Sequence, residues 1–287
     1  MSGPPTGRSR TERGFGKPLA LIIAVALILI GLLFYRDAAK RLVRESLMQS
    51  VTSTHYEILC PVGALTQAAM TDFATGREPL FTALDKKLGD AGSNSELRVI
   101  LDPAFPTPAF DSRIPLPYAV TGTTIRARLA GANPQLPAAA DAEALLTVAW
   151  GKHGNPQIAR WVALWLVGDW HGSEVGMAAA EVEQRLGHKN VATLLENPAS
   201  EIASPDDQAL LGAAWISQIA EFGGAPAVRK IYAAKMNRPN VAAMTQALGT
   251  TQIELDRKWQ LWMYSYLAGM PAAAHGSEMQ MRMPMGQ

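Results

Sequence analysis

The stretch DAEALLTVAWGKHGNPQIARWVALWLVGDW, from Asp141 to Trp170, reads as two consecutive helices rich in apolar residues. The first helix offers Glu143 and His153 as candidate metal ligands, and they stand ten positions apart. Two ligands on one helix face must lie three or four residues apart to reach the same ion. Glu143 and His153 therefore cannot hold one metal ion from this helix.

This stretch resembles the metal-binding helix and the following helix of the gluzincin group of zinc peptidases, in particular the peptidase MA-like family. In that family the first helix carries His-Glu-x-x-His, and a Trp in the second leads into a Glu-Gly pair whose Glu is the third zinc ligand. Here Trp161 matches the Trp, whereas Leu164 stands in place of the Glu and Trp165 in place of the Gly. The resemblance implies a degenerate domain that lacks the HExxH motif and holds a partner rather than cuts a substrate.

The composition is that of an ordinary globular domain. The 287 residues are 48% hydrophobic and carry a formal net charge of +1. This length can enclose an apolar core without disulfides. The single cysteine, Cys60, excludes an internal disulfide and a Cys-rich metal site. The near-neutral charge gives no reason to expect nucleic acid as a partner, because nucleic-acid binders concentrate Lys and Arg on one face.

A long uncharged segment, Leu19–Tyr35, lies near the N-terminus between Lys17 and Arg36. With Pro18 it makes 18 residues, or about 27 Å of helix at roughly 1.5 Å per residue. We interpret it as an uncleaved signal anchor crossing the lipid bilayer, in preference to a cleaved signal peptide or a buried core helix. Four basic residues on each side leave its orientation open. The resemblance implies a single-pass protein of a bacterial inner membrane, with the C-terminal domain in the periplasm.

Composition also divides the chain into five segments. The prediction is a flexible N-terminal tail, a transmembrane helix, a helical stalk beside the membrane, a degenerate peptidase MA-like domain and a Met-rich flexible tail. In that order, these segments are residues 1–17, 18–35, 36–53, 54–270 and 271–287.

The domain itself is predicted to be α+β, with a small strand-containing N-terminal half and a helical C-terminal half. Alternating or β-favouring residues predict strands at His55–Cys60, Glu96–Leu101 and Thr124–Leu129, and helices are predicted at Gly63–Phe73 and Glu78–Leu88. From Asp141 onward nearly everything reads as helix. The order of the two halves is similar to the layout of gluzincin-type domains.

The last predicted helix has a clear start and a clear apolar face. Thr251 and Glu254 are spaced as a capping box. A preceding break at Gly223-Gly224, followed by a short helix, is similar to the C-terminal end of peptidase MA-like domains. The predicted buried stripe consists of Ile253, Leu255, Trp259, Trp262 and Met263.

The sequence predicts no catalytic, cofactor or metal site. The five histidines are scattered without a two-His pair, and a zinc hydrolase needs three protein ligands and an open position. His171 and Glu174 read as a surface pair in a turn and helix start, and Cys60 as an inert buried thiol. Leu164, Trp165 and Trp161 are the candidate residues of a degenerate cleft, and the hypothesis is that Leu164 and Trp165 fill it.

Methionines occupy every second position of the C-terminal tail, at Met279, Met281, Met283 and Met285. Such a segment is either disordered or a docking tail, since methionines make adaptable contact surfaces. Capture of Cu(I) by the thioethers is a less favoured alternative.

The function expected from the sequence is that of a non-catalytic accessory subunit. It would belong to a larger membrane protein complex, respiratory, photosynthetic or transport-related. Its partners would be other membrane protein subunits and the lipid bilayer, the latter contacted through Leu19–Tyr35. Two alternatives remain open at this point: a divergent envelope metallohydrolase, and a copper-handling protein that uses the Met-rich tail.

Overall fold

The computed structural model describes residues 47–105, 109–110, 114–115, 118–129, 134, 136–186, 204–234, 236 and 240–269. The chain divides into two units, Met1–Met48 and Gln49–Gln287. The described helices and strands lie in the second unit, except that the first strand begins at Met48. The predicted transmembrane segment, residues 18–35, and the Met-rich tail, residues 271–287, lie outside the described residues. The predictions of a membrane anchor, a periplasmic location and a docking or copper-binding tail therefore stay predictions.

A five-stranded mixed sheet forms one part of the unit, in the order β1-β2-β3-β7-β6. Strands β2, β3 and β7 are parallel neighbours, whereas β6 runs antiparallel to β7. These strands are β1 (Met48–Thr52), β2 (Tyr56–Pro61), β3 (Leu97–Asp102), β6 (Tyr118–Thr121) and β7 (Thr124–Arg128), with a separate ribbon of β4 (Ala109–Phe110) and β5 (Ile114–Pro115).

Helix α1, Gln67–Lys87, connects β2 to β3. Its N-cap residue Thr66 accepts a hydrogen bond from the backbone N–H of Ala69 at 3.1 Å, which satisfies one of the free donors of the first turn. Lys86 and Lys87 lie in the last turn, where positive charge complements the helix dipole. Because two parallel strands need a crossover connection, this helix is what allows β2 and β3 to lie side by side.

The fold class expected from the sequence is wrong. The α+β prediction gave a small N-terminal half with strands and a helix pair, followed by a helical C-terminal half, but the unit is a mixed α/β structure in which α1 crosses over between two parallel strands. Within the described ranges, no helix is long and apolar enough to cross a membrane. The strands were found by their composition, whereas their parallel pairing depends on contacts between distant segments.

Individual elements agree better with the sequence. All three predicted strands are confirmed to within a residue at each end. The two helices predicted between residues 63 and 88 are one continuous helix, α1, with Pro79 inside it. The stalk prediction is wrong at Met48–Thr52, which forms strand β1. Val51 follows a helical spacing in the sequence, but pairing with the sheet overrides this local pattern.

Helices dominate the remainder of the unit. They are α2 (Ala138–Trp150), α3 (Pro156–Val167), α4 (Val175–Leu186), α5 (Pro205–Ala233), α6 (Val241–Leu248) and α7 (Gln252–Gly269), with the short hairpin β8 (Asp169–Trp170) and β9 (Ser173–Glu174) before α4. The break predicted at Gly223-Gly224 is confirmed as a kink within α5, where Gly224 has a φ of +67°.

The start of α7 agrees with the prediction, and its apolar face agrees in part. The backbone N–H of Glu254 donates to the Thr251 hydroxyl at 3.2 Å, as in a capping box. Leu255, Trp259, Trp262 and Met263 are buried, but Ile253 is 82% exposed. At about 100° per residue, Ile253 lies on the side of the helix opposite Trp262. Its inclusion in the buried stripe was therefore wrong.

Candidate functional site

A compact polar group, which we call the Glu143 cluster, consists of Tyr118, Glu143 and Arg160. The Tyr118 hydroxyl donates to Glu143 Oε1 at 2.9 Å. Arg160 Nη1 lies 3.3 Å from the same oxygen and also donates to the Tyr118 hydroxyl. The Arg160 guanidinium stands over the Tyr118 ring, 4.5 Å from its centroid, in the geometry of a cation–π contact. The three side chains thus form one closed network.

Three elements bring the cluster together. Tyr118 is the first residue of β6, Glu143 lies in the middle of α2, and Arg160 lies in the second turn of α3. The position of α3 is set by Asn155, whose side chain accepts from the backbone N–H groups of Gln157 and Ile158 at 2.8 and 3.2 Å. Since Pro156 follows the N-cap directly, the helix has a well-defined first turn.

Burial sets the electrostatics of the cluster. Tyr118 is fully buried, whereas the side chains of Glu143 and Arg160 are each 16% exposed. Burial raises the pKa of Glu143, and the positive charge of Arg160 opposes that rise. Burial also raises the pKa of Tyr118 well above its usual range. The tyrosine therefore keeps its proton and stays a hydrogen-bond donor. The cluster is partly accessible, and within it the Glu143 carboxyl group binds its proton more tightly than usual.

We expect Glu143→Gln to change how stability depends on pH. A carboxyl group whose folded pKa is raised stabilises the fold below the unfolded pKa, and that contribution is lost as the pH rises through the folded value. The difference in unfolding free energy between Glu143→Gln and wild type should therefore shift in favour of the variant as the pH rises from about 4 to neutral. Urea denaturation at several pH values measures this difference. A constant difference across the range would contradict the raised pKa.

A group of aromatic residues adjoins the cluster at the C-terminal end of α2. The Tyr232 ring contacts those of Trp150 and His153, with centroids 5.4 and 4.9 Å apart. The Tyr232 hydroxyl donates to the Gly151 carbonyl at 2.9 Å. Burial raises the pKa of Tyr232 to about 12, and the charge of Glu143 adds to the rise. Tyr232 thus contacts His153 directly and lies within electrostatic reach of Glu143, the two residues that the sequence offered as metal ligands.

His153 is held within the protein rather than presented to a metal. Its side chain is buried, with Nδ1 2.7 Å from the backbone nitrogen of Asn155. Burial lowers the pKa of this histidine. Within the described part of the chain, no group of three or more His, Cys, Asp or Glu residues could hold a metal ion. Glu143 and His153 therefore belong to one region of the fold without forming a shared ligand set.

The predicted cleft residues lie on α3. Trp161 and Leu164 are buried, and Trp165 is partly buried against the core. A Cβ atom built on Gly212 of α5 would overlap the Trp161 indole, so the two helices approach closely at this point. These side chains pack the interior of the helical region. That Leu164 and Trp165 fill a former cleft stays a hypothesis.

Other candidates from the sequence have structural roles. His171 lies in the turn of the β8–β9 hairpin with a φ of +53°, and Glu174 accepts a hydrogen bond from the Tyr266 hydroxyl at 2.7 Å. The helix start predicted at this pair is therefore displaced, because α4 begins at Val175. Cys60 is fully buried, 3.4 Å from the sulfur of Met70.

Sequence reasoning missed Tyr118 and Arg160. They lie 25 and 17 positions from Glu143 along the chain, so no local spacing connects them. One signal was present for Arg160, which is the only charged residue of its helix and stands between Ala159 and Trp161. A charged side chain in such a place needs a partner, because burying an unpaired charge is costly.

The cluster adjoins an edge of the sheet. Strand β6 pairs with β7, and no second neighbour of β6 is found among the described strands. A two-residue turn, Gly122-Thr123, joins the pair Thr121 and Thr124, and Gly122 has a φ of +61°. This geometry fits a type II′ hairpin, in which the closing pair is hydrogen-bonded. Along the two strands, non-hydrogen-bonded and hydrogen-bonded pairs then alternate. The backbone groups of Val120 and Tyr118 consequently point away from β7.

Comparison with known proteins adds no relative. No protein-family model matches the chain, and no curated protein matches it either. The candidate site is therefore the Glu143 cluster together with the outer edge of β6, defined by its own geometry.

Proposed function

We propose that this domain is a non-catalytic accessory subunit that binds an extended segment of a partner protein along the outer edge of β6. The observation that supports it most is the position of β6 at the end of the sheet, directly beside the partly accessible Glu143 cluster. An edge strand presents unpaired backbone donors and acceptors, and a partner strand can add to them.

The backbone of β6 offers a defined set of contacts. Val120 and Tyr118 direct their N–H and C=O groups outward, by the alternation of the hairpin with β7. Thr121 is exposed and Val120 partly exposed, so side chains of the partner would have surface to contact on this strand. Main-chain hydrogen bonds would supply affinity, and side-chain contacts at alternate positions would supply specificity.

The arrangement of Glu143 favours binding over catalysis. Oxygen Oε1 accepts from Tyr118 and faces the guanidinium of Arg160. A general base needs to reach the proton of a nucleophile or of a water, and Oε1 is already engaged within the protein, so only Oε2 is left for such a contact. The same network fixes α2, α3 and β6 relative to each other and so gives a partner a rigid surface.

We expect Val120→Pro to weaken partner binding by roughly tenfold or more, because it removes one outward N–H group and places the proline ring where a partner carbonyl would lie. Stability should change little, since proline is tolerated on an edge strand when its nitrogen does not serve the ladder. The test is affinity purification of the tagged full chain from its own cells, with the co-purifying proteins identified by mass spectrometry.

Val120→Thr is the matched control, because it keeps both the N–H group and a β-branched side chain. A protein that co-purifies in fixed ratio with wild type and Val120→Thr but is lost with Val120→Pro would support the proposal. A partner retained equally by all three chains, or no partner with wild type, would refute it.

A further inference from the structure

We propose that the chain forms a symmetric dimer in which the outward face of α7 packs antiparallel against the same face of a second copy. This surface lies on a different element from β6, so the inference goes beyond the proposed function. We call the surface the α7 stripe, and its residues are Ile253, Arg257, Leu261, Tyr264 and Ala268.

The α7 stripe is an exposed and largely apolar helix face. Leu261, Tyr264 and Ile253 are 57%, 71% and 82% exposed. At about 100° per residue, all members of the stripe fall within about 80° of the helix circumference. The buried residues of the helix, among them Trp259 and Trp262, lie on the other side. A continuous exposed apolar face of this kind marks a surface that another molecule covers.

The order of residues along the stripe is complementary to itself. An antiparallel pairing centred between Gln260 and Leu261 places Arg257 opposite Tyr264 of the second copy, and Tyr264 opposite Arg257. The two copies of Leu261 then meet near the two-fold axis. A two-fold interface requires this reciprocity, since each residue meets a residue whose own counterpart it is. The guanidinium of an arginine is attracted to the face of a tyrosine ring, so both contacts are favourable.

A groove lies where this pairing needs one. It occupies about 360 Å³ along the first two turns of α7 and is lined by Thr251, Ile253, Glu254, Arg257 and Lys258. The antiparallel pairing places Tyr264 and Ala268 of the second copy over this groove. Helices pack by fitting side chains of one into the grooves of the other. The groove therefore offers the Tyr264 ring a receiving surface with Arg257 in its wall.

The charges beside the stripe favour a second copy as the occupant. Glu254 and Lys258 pair with each other at 3.0 Å, and Lys258 Nζ lies 5.6 Å from the centroid of the Phe222 ring. These two charges are thus engaged within the chain. The stripe itself has one cation, Arg257, and one aromatic ring, Tyr264, and the antiparallel pairing uses both. Because a single helix face is small, the dimer is reversible and forms at micromolar concentration.

Cross-linking of the purified full chain at a cysteine on the stripe tests the dimer. Leu261→Cys places a thiol near the two-fold axis, where a short bismaleimide joins two copies. Gln252→Cys is the matched control, because Gln252 is exposed on α7 but lies about 140° from the middle of the stripe. The native Cys60 is fully buried and is common to both variants.

The expected result is a product of twice the chain mass with Leu261→Cys and the single chain mass with Gln252→Cys. Equal yields of the double-mass product from both variants would overturn the proposal. So would a chain that stays single with Leu261→Cys, including one whose thiol is shielded by lipid vesicles instead.

A charge exchange at the two predicted contacts tests the antiparallel arrangement. Tyr264→Arg places like charges together at both contacts, and we expect the dimer to weaken about tenfold or more in sedimentation equilibrium. The double variant Arg257→Glu, Tyr264→Arg places opposite charges there and should recover the affinity. Both residues are exposed, so the core is not disturbed. Wild-type affinity with Tyr264→Arg alone, or no recovery in the double variant, would overturn the pairing.

Discussion

Replacement of Arg77 by alanine is expected to lower the free energy of unfolding by about 3–5 kcal/mol, the usual cost of leaving one partner of a buried ion pair uncompensated. Arg77 pairs with Asp141 through Nη2 and through Nε, the latter at 3.3 Å from Oδ1. Asp141 is fully buried. Nη1 of Arg77 also donates to the Leu136 carbonyl at 2.9 Å. The variant would thus bury a carboxylate with its charge partner removed and leave that carbonyl without its donor.

Lys258→Ala serves as the control for the Arg77 variant. Lys258 pairs with Glu254 at 3.0 Å, but the two side chains are 33% and 54% exposed. An exposed pair of this kind contributes only about 0.3–0.5 kcal/mol. Urea denaturation at neutral pH compares the two variants. Equal losses of stability would show that the Arg77–Asp141 pair does not hold α1 against α2 as described.

Gly212→Ala is expected to cost about 1–3 kcal/mol or more, because a side chain here overpacks the interior. A Cβ atom at this position would overlap the Trp161 indole, and Trp161 is almost completely buried. Neither the ring nor the backbone of α5 has space to retreat, since protein interiors are closely packed. Thermal and urea unfolding of the variant measure the loss.

Gly76→Ala makes the same chemical change in a helix where a Cβ atom would meet nothing within 4 Å. Alanine there should stabilise the protein by about 0.4–1 kcal/mol, because it restricts the unfolded chain and favours helix. The two substitutions should therefore have opposite signs. A neutral or stabilising Gly212→Ala would contradict the close approach of α3 and α5.

Local patterns were sufficient to predict much of the fold. The alternating residues of TIRARL indicated β7 to within a residue, because such a sequence fits a half-buried strand. ELRVIL indicated β3 equally well, although this central strand is buried at all but one position. Thr251 capped α7 as predicted. Ile253 was assigned to the wrong face, since the sequence gives a list of apolar residues whereas the helix angle decides which of them face inward.

Contacts between residues far apart in the chain could not be predicted from local sequence patterns. The parallel register of β2, β3 and β7 depends on contacts across a crossover helix, so the fold class was mistaken. Arg77 and Asp141 are 64 positions apart, and their pairing has no local signature. The candidate site shows the same limit. Glu143 was singled out as a possible ligand, whereas its partners Tyr118 and Arg160 emerge only when β6, α2 and α3 are assembled.

The central claim is that this chain binds a partner protein and does not act alone as a hydrolase. Native mass spectrometry of the chain, purified gently from its own cells without added metal, tests it most directly. We predict a mass equal to that of the chain plus another protein in fixed ratio, with the second protein absent from the Val120→Pro preparation. A solitary chain that carries bound zinc and hydrolyses peptides would contradict the claim.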